Sequence, residues 1–132
     1  MANFDFGQVT AFSLALKPQL VTTTNVNTAA IDMAGFEGVS IATITGEGTI
    51  NATVNVALTF YEGDDDTRAN ATALASSRVL SNPVVNSNAT AFKAVVVPTK
   101  RYLFAELDPT ASHSCNLAVV ATKGYPTEAP TT

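Results

Sequence analysis

From Ile50 to Phe60 the chain alternates. Ile50, Ala52, Val54, Val56, Leu58 and Phe60 are apolar, and Asn51, Thr53, Asn55, Ala57 and Thr59 between them are small and mostly polar. Successive side chains of an extended chain point to opposite faces, so the pattern predicts one long strand over 50–60 in a half-buried antiparallel sheet. A helix would scatter the same residues around its axis. A slip of one residue would turn every large apolar side chain outward, so this strand is expected to set the register of its neighbours.

The rest of the chain repeats the theme in shorter pieces. Val39 to Ile44 reads as a strand, and Gly46-Glu47-Gly48 as the hairpin connection into the long strand. Gly35 and Gly38 flank Phe36 and suggest a turn needing positive φ. Arg78 to Leu80 is a brief strand stopped at Ser81-Asn82-Pro83, and Asn86-Ser87-Asn88 is a turn. Ala91 to Val97, Arg101 to Leu107 and Cys115 to Ala121 are three further strands, the first two joined tightly by Pro98-Thr99-Lys100. Between Arg68 and Ser77, Ala69, Ala71, Ala73 and Ala75 fit either a short helix capped by Asp66 or Thr67 or an extended segment. The sum is an all-β chain of seven to nine strands with at most one short helix, an antiparallel β-sandwich or small barrel.

Three regions follow from the same pattern. Residues 1–20, with Phe4, Phe6 and the apolar run to Leu16, form a first strand or a docking arm. Residues 21–123 form the sandwich domain. Residues 124–132, rich in Pro and Thr, read as a flexible tail. At 132 residues the chain is expected to be one folding unit whose core needs no disulfide or metal.

Composition narrows the function more than the fold. Only 14% of residues are charged while 46% are hydrophobic, and the remainder is dominated by Thr, Asn and Ser. Uncharged polar faces of that kind meet another protein without stranding charges. Seven Lys and Arg against 11 Asp and Glu leave a net charge of −4, a poor match to a phosphate backbone, so no nucleic-acid partner is expected. No apolar run approaches the length of a membrane span, and the first residues lack the basic and apolar regions of a secretion signal, which points to a cytoplasm-like compartment. Three Asn-Ala-Thr triplets, at Asn51, Asn70 and Asn88, match a glycosylation pattern that carries no weight without such a signal.

Catalytic chemistry finds little to stand on. His113 is the single histidine, and Ser112, Ser114 and Asp108 lie too near it in sequence to converge on it as a triad; it reads as a solvated loop residue. Cys115, the single cysteine, sits in an alternating apolar run and reads as a small buried hydrophobe, so no internal disulfide forms. Zinc would need more His and Cys ligands. In Glu62-Gly63-Asp64-Asp65-Asp66 the acids are consecutive, unlike the alternating ligands of a calcium loop, and the stretch reads as a solvated turn. Neither enzyme activity, nor a cofactor, nor a metal is expected. The contact residues suggested by the pattern are Phe4 and Phe6 of the arm and Asn51, Thr53 and Asn55 on the polar face of the long strand.

Three stretches resemble a known family. Ala30-Ile31-Asp32-Met33-Ala34-Gly35-Phe36-Glu37-Gly38-Val39 is similar to an Ile-Asp-x-x-Gly-aromatic turn entering a strand. Val54 to Asp66 is similar to the long strand and Asp-rich turn that follow it, and Lys100-Arg101-Tyr102-Leu103-Phe104 to the basic-aromatic start of a late strand. Together, over residues 28–123, they resemble the small capsid decoration, or cement, proteins of tailed bacteriophages. Glu62-Gly63-Asp64, where a Glu-Ser-Asp-like turn is more usual, and the apolar start Phe4 to Leu16 depart from that pattern. The resemblance implies a jelly-roll sandwich on the outer surface of a virion head, assembled in the host cytoplasm. It implies the major capsid protein as partner and a dimer or trimer as the working form. A second class, a carbohydrate-binding jelly-roll module of a phage tail or fibre, would rest on Tyr61 or Tyr102.

Overall fold

The computed structural model describes residues 11–126, with side chains through Gly124. Ten strands run in order β1 (Ala11–Val21), β2 (Val26–Asn27), β3 (Ile31–Asp32), β4 (Phe36–Thr49), β5 (Val56–Gly63), β6 (Thr72–Ala73), β7 (Val79–Ser81), β8 (Ala91–Val96), β9 (Tyr102–Pro109) and β10 (Ser114–Pro126). Three of them are two residues long. Between β5 and β7 the Ala-rich stretch settles as neither alternative alone: 3-10 turns at Arg68–Asn70 and Ser76–Arg78 bracket the short β6. No helix among the described residues is long and apolar enough to cross a membrane.

The strands form two five-stranded antiparallel sheets. Sheet A has the order β1-β10-β4-β8-β7; sheet B has the order β2-β9-β5-β6, with β3 also on β9. Consecutive long strands therefore change sheets: β4 to β5, β8 to β9 and β9 to β10 all cross the sandwich. Interleaving the early and late strands, β1 beside β10 and β4 beside β8 in one sheet, β9 beside β5 in the other, is the jelly-roll order. The inner faces meet through Val39, Ile41, Leu117, Val119 and Val96 from sheet A and Val56, Leu58, Phe60, Leu103, Ala105 and Leu107 from sheet B. Register pairs Leu58 with Leu107 and sets the large Phe60 opposite the small Ala105.

Three expectations change. The long strand does not begin at Ile50: residues 51–54 bend, and β5 starts at Val56. The cause is local. Asn51 Oδ1 accepts from the backbone N–H of Thr53 and Val54 and from Thr53 Oγ, at 2.9, 3.0 and 2.9 Å, while Asn55 Nδ2 donates to the Ala52 carbonyl. Asparagine side chains that bond their own backbone displace the sheet ladder, and small residues alternating with Asn and Thr imitate a strand in sequence. Second, Gly46-Glu47-Gly48 is no hairpin. β4 runs through it to Thr49, and the glycines lie at a bulge opposite Cys115 and Leu117. Third, Gly35 alone takes positive φ, at 85°, while Gly38 lies within β4. Pro98-Thr99-Lys100 is the tight connection expected, and it carries the chain from one sheet to the other.

The chain ends also differ from the composition boundaries. Ala11–Val21 pairs along β10, which places residues 11–20 inside the sandwich, and β10 continues to Pro126, past the predicted start of a tail. Phe4, Phe6 and residues 127–132 lie outside the described residues.

Candidate functional site

The outer face of sheet A carries few charges along its register. Its side chains are placed by register. Phe12, Thr122, Ser40 and Val95 form one row across β1, β10, β4 and β8; Leu14, Val120, Ala42 and Lys93 form the next; Ala118, Ile44 and Ala91 a third. Of these eleven, only Lys93 is charged. Phe12 is 77% exposed, Leu14 56% and Ile44 44%. Scattered single apolar residues on a surface are ordinary, but rows of them across four paired strands form a contiguous patch of the kind that meets another protein.

The signal for this face lay in the strands that failed to alternate. Val95-Val96-Val97 and Ala118-Val119-Val120-Ala121 are apolar at both parities. One parity fills the core, as Val96, Val119 and Ala121 do at 0% exposure. The other parity must then be apolar on the outside.

The polar residues expected to make contact are placed elsewhere. Asn51 and Thr53 are exposed and Asn55 is half-buried, but they build the turn before β5 instead of a sheet face. Their side-chain hydrogen bonds are spent on that turn, so the flat polar strand surface does not exist. Phe4 and Phe6 lie outside the described residues.

His113 is corrected as well. It is 1% exposed, and its Nδ1 lies 2.9 Å from the Val21 carbonyl across a sequence separation of 92 residues. A carbonyl only accepts, so Nδ1 carries the proton and donates. The bond ties the start of β10 to the end of β1. Cys115 is fully buried beside it in sequence, as expected, and burial pushes its thiol up from the ordinary value. In the acidic turn, Asp65 accepts from Thr67 N and Asn70 Nδ2, and the hydrogen bond from Thr67 leads in holding its carboxyl low. Among the described residues no three His, Cys, Asp or Glu come together as metal ligands.

Two carboxylates hold the opposite end of the sandwich. Glu62, on the inner face of β5 and 8% exposed, accepts from Thr99 N at 2.8 Å, Thr99 Oγ at 2.7 Å and Lys100 N at 3.3 Å. Burial opposes its charge most strongly, yet those bonds with the nearby Lys100 charge outweigh it, and its pKa lies below the ordinary value. Asp32 takes Arg101 in a two-pronged bond of 3.1 and 3.0 Å, which with the Ala34 N–H holds its pKa at about 2. Lys123 Nζ of sheet A donates to the Asp32 carbonyl at 2.9 Å, a link between the sheets.

Both pKa values are lower folded than unfolded, so both carboxylates add stability above their unfolded values and lose it as pH falls through the folded ones. Stability is expected to fall between pH 4.5 and about 2. With its side chain 45% exposed, Asp32 accounts for about 1 kcal/mol of that loss after solvent screening. Urea midpoints recorded against pH check this: Asp32→Asn with Glu62→Gln should lower stability at pH 7 and flatten the acid limb, whereas a limb as steep as the parent's assigns acid sensitivity to other groups.

The fold and face define a jelly-roll β-sandwich with a broad outer surface that carries a single charge, Lys93, among its eleven registered positions. Among solved structures the chain is similar to one from Bacillus endospore appendages, described as a novel family of disulfide-linked pili, with a TM-score of 0.52 and 15% sequence identity over 96% of this chain and 98% of that chain. No family model and no curated protein matches the chain. At such identity the likeness speaks for the fold.

Proposed function

We propose that the protein is a non-enzymatic structural subunit that docks on other protein subunits through the outer face of sheet A. The observation that carries this reading is the set of rows Phe12, Leu14, Val120, Ala42 and Ile44, interrupted by Lys93 alone as a charge. An uncharged sheet face buries area without stranding ions, and repetition over an assembly multiplies weak contacts.

The finer reading places the subunit on the outside of a tailed-phage head, as a dimer or trimer bridging neighbouring major capsid subunits. It is supported by the resemblance over residues 28–123 and by the jelly-roll strand order. Binding the assembled shell and not its dissociated parts would raise shell stability by mass action. The fold likeness favours a second reading, a filament subunit that packs on copies of itself. In this chain a link through Cys115 would require exposing a thiol that is 0% exposed, so such packing would be non-covalent. The carbohydrate reading is weaker: Arg68 lies 3.5 Å from the centroid of Tyr61 and covers a ring face that a sugar would stack on.

The test is Leu14→Glu combined with Ile44→Glu. Both side chains are exposed, so the melting temperature of the free protein should change little. Occupancy on phage heads, read by co-sedimentation, should fall about tenfold or more, with loss of the added head melting temperature. If heads are not the partner, self-association should fall instead. Parent-like behaviour in both assays removes the face from the account. The arm is tested separately by deleting residues 1–10, which spares every described strand. A cut at residue 16 would remove the core residues Ala15 and Leu16.

A further inference from the structure

At one end of the sandwich a cleft of about 570 Å³ opens between the turn entering β4 and the connection from β8 to β9. Its walls combine apolar Met33, Phe36, Val97 and Pro98 with the cations Arg78, Lys100 and Arg101. Those are three of the seven Lys and Arg of an acidic chain, gathered in one place.

The three differ in what they have left to give. Arg101 is held by Asp32 at 3.0 Å. Arg78 and Lys100 make no ion pair among the described residues, and Arg78 Nε is buried without a hydrogen-bond partner. Leaving a buried guanidinium N–H without an acceptor is costly, so such groups are ordinarily satisfied by protein or ligand. The connection carrying Lys100 is pinned from behind by Glu62, which already takes the N–H groups of Thr99 and Lys100. The cleft therefore offers side-chain cations on a pinned backbone and no free backbone donors at Thr99 and Lys100.

We propose that this cleft binds an acidic peptide segment of a partner protein, with a carboxylate on Arg78 and Lys100 and a neighbouring apolar side chain against Met33, Phe36, Val97 and Pro98. A guanidinium fork matches a carboxylate in two-pronged geometry. A bare ion is too small an occupant: the cleft holds roughly twenty times a water molecule's share of liquid volume. The apolar walls need an apolar part of the ligand to cover them. Glu37 is the single acid lining the cleft and opposes the ligand's charge. The site is separate from the outer face of sheet A, so either can fail without the other.

The experiment titrates the full chain with a capped, fluorescein-labelled Glu-Leu-Glu-Leu peptide, followed by anisotropy and by the NMR signals of Arg78 Nε–H and the Thr99 and Lys100 amides. Binding is expected to weaken about tenfold between about 20 and about 300 mM salt. Lys100→Gln should weaken it several-fold, Arg78→Gln about tenfold, and Glu37→Gln should tighten it. Lys93→Gln, outside the cleft, should leave it unchanged. The single Lys100→Gln variant keeps the test decisive if Arg78→Gln destabilises the fold. No binding, equal binding of the Gln-Leu-Gln-Leu peptide, equal weakening by Lys93→Gln, or a preference for inorganic phosphate or a short oligonucleotide would each overturn the proposal.

Discussion

Gly48→Ala is expected to destabilise the protein by about 3 kcal/mol or more, while Gly46→Ala two residues earlier costs about 1 kcal/mol or less. Both glycines lie in the bulged part of β4, and local sequence does not distinguish them. Their surroundings do. A Cβ on Gly48 would run into Ser114 O and come within 2.5 Å of Cys115 Cα and 2.8 Å of Cys115 Cβ. Two of these three atoms are backbone of the paired strand β10, which cannot rotate aside as a side chain can. Moving β10 would drag the buried Cys115, Leu117 and His113 with it. A Cβ on Gly46 would meet Asn116 Cβ at 3.4 Å, ordinary contact. Denaturant midpoints with unchanged slopes check the pair. A loss below 1 kcal/mol at Gly48 would mean that β10 yields locally and that the bulge is soft.

The second large effect contrasts one substitution at two leucines. Leu107→Ala is expected to cost about 2–5 kcal/mol, and Leu14→Ala no more than about 0.5 kcal/mol. Leu107 is fully buried on the inner face of β9, opposite Leu58 on one side and Val26 on the other. Its paired strands in sheet B and the core residues of sheet A hold that position, so the lining cannot collapse onto the space left behind. Leu14 lies on the outer face of β1 and is 56% exposed, so truncation removes little buried contact. Thermal unfolding of the two variants at several protein concentrations is the measurement. A cost at Leu14 that approaches the cost at Leu107, and that grows with concentration, would mean that the face is already covered by a second copy in solution.

These contrasts separate what can be read locally from what cannot. Alternation located the core parity of β5, with Val56, Leu58 and Phe60 buried, and the strands around Ile41, Val96, Leu107 and Val119. It misread Asn51 to Val54, because a turn held by asparagine side chains leaves the same alternation of polar and apolar letters. The candidate contact face was only half legible. Phe12 and Leu14 alternate visibly, but Ile44, Val95 and Val120 join them only once β10 and β4 are paired between them. The cleft was not legible at all: Arg78 and Lys100 are 22 positions apart and meet through a crossover between sheets.

The sequence by itself determined that this is an all-β chain with a large apolar core and one buried thiol. Side-chain parity and composition act over a few residues, and that is enough for strands, turns with positive φ such as Gly35, and net charge. Only the tertiary structure decided which sheet each strand joins, that His113 is buried against Val21, that Gly48 rather than Gly46 must lack a side chain, and which apolar residues share the outer face. Each of those depends on contacts between segments tens of residues apart. Such contacts are chosen by the packing of the whole sandwich, and no local pattern of residues carries them.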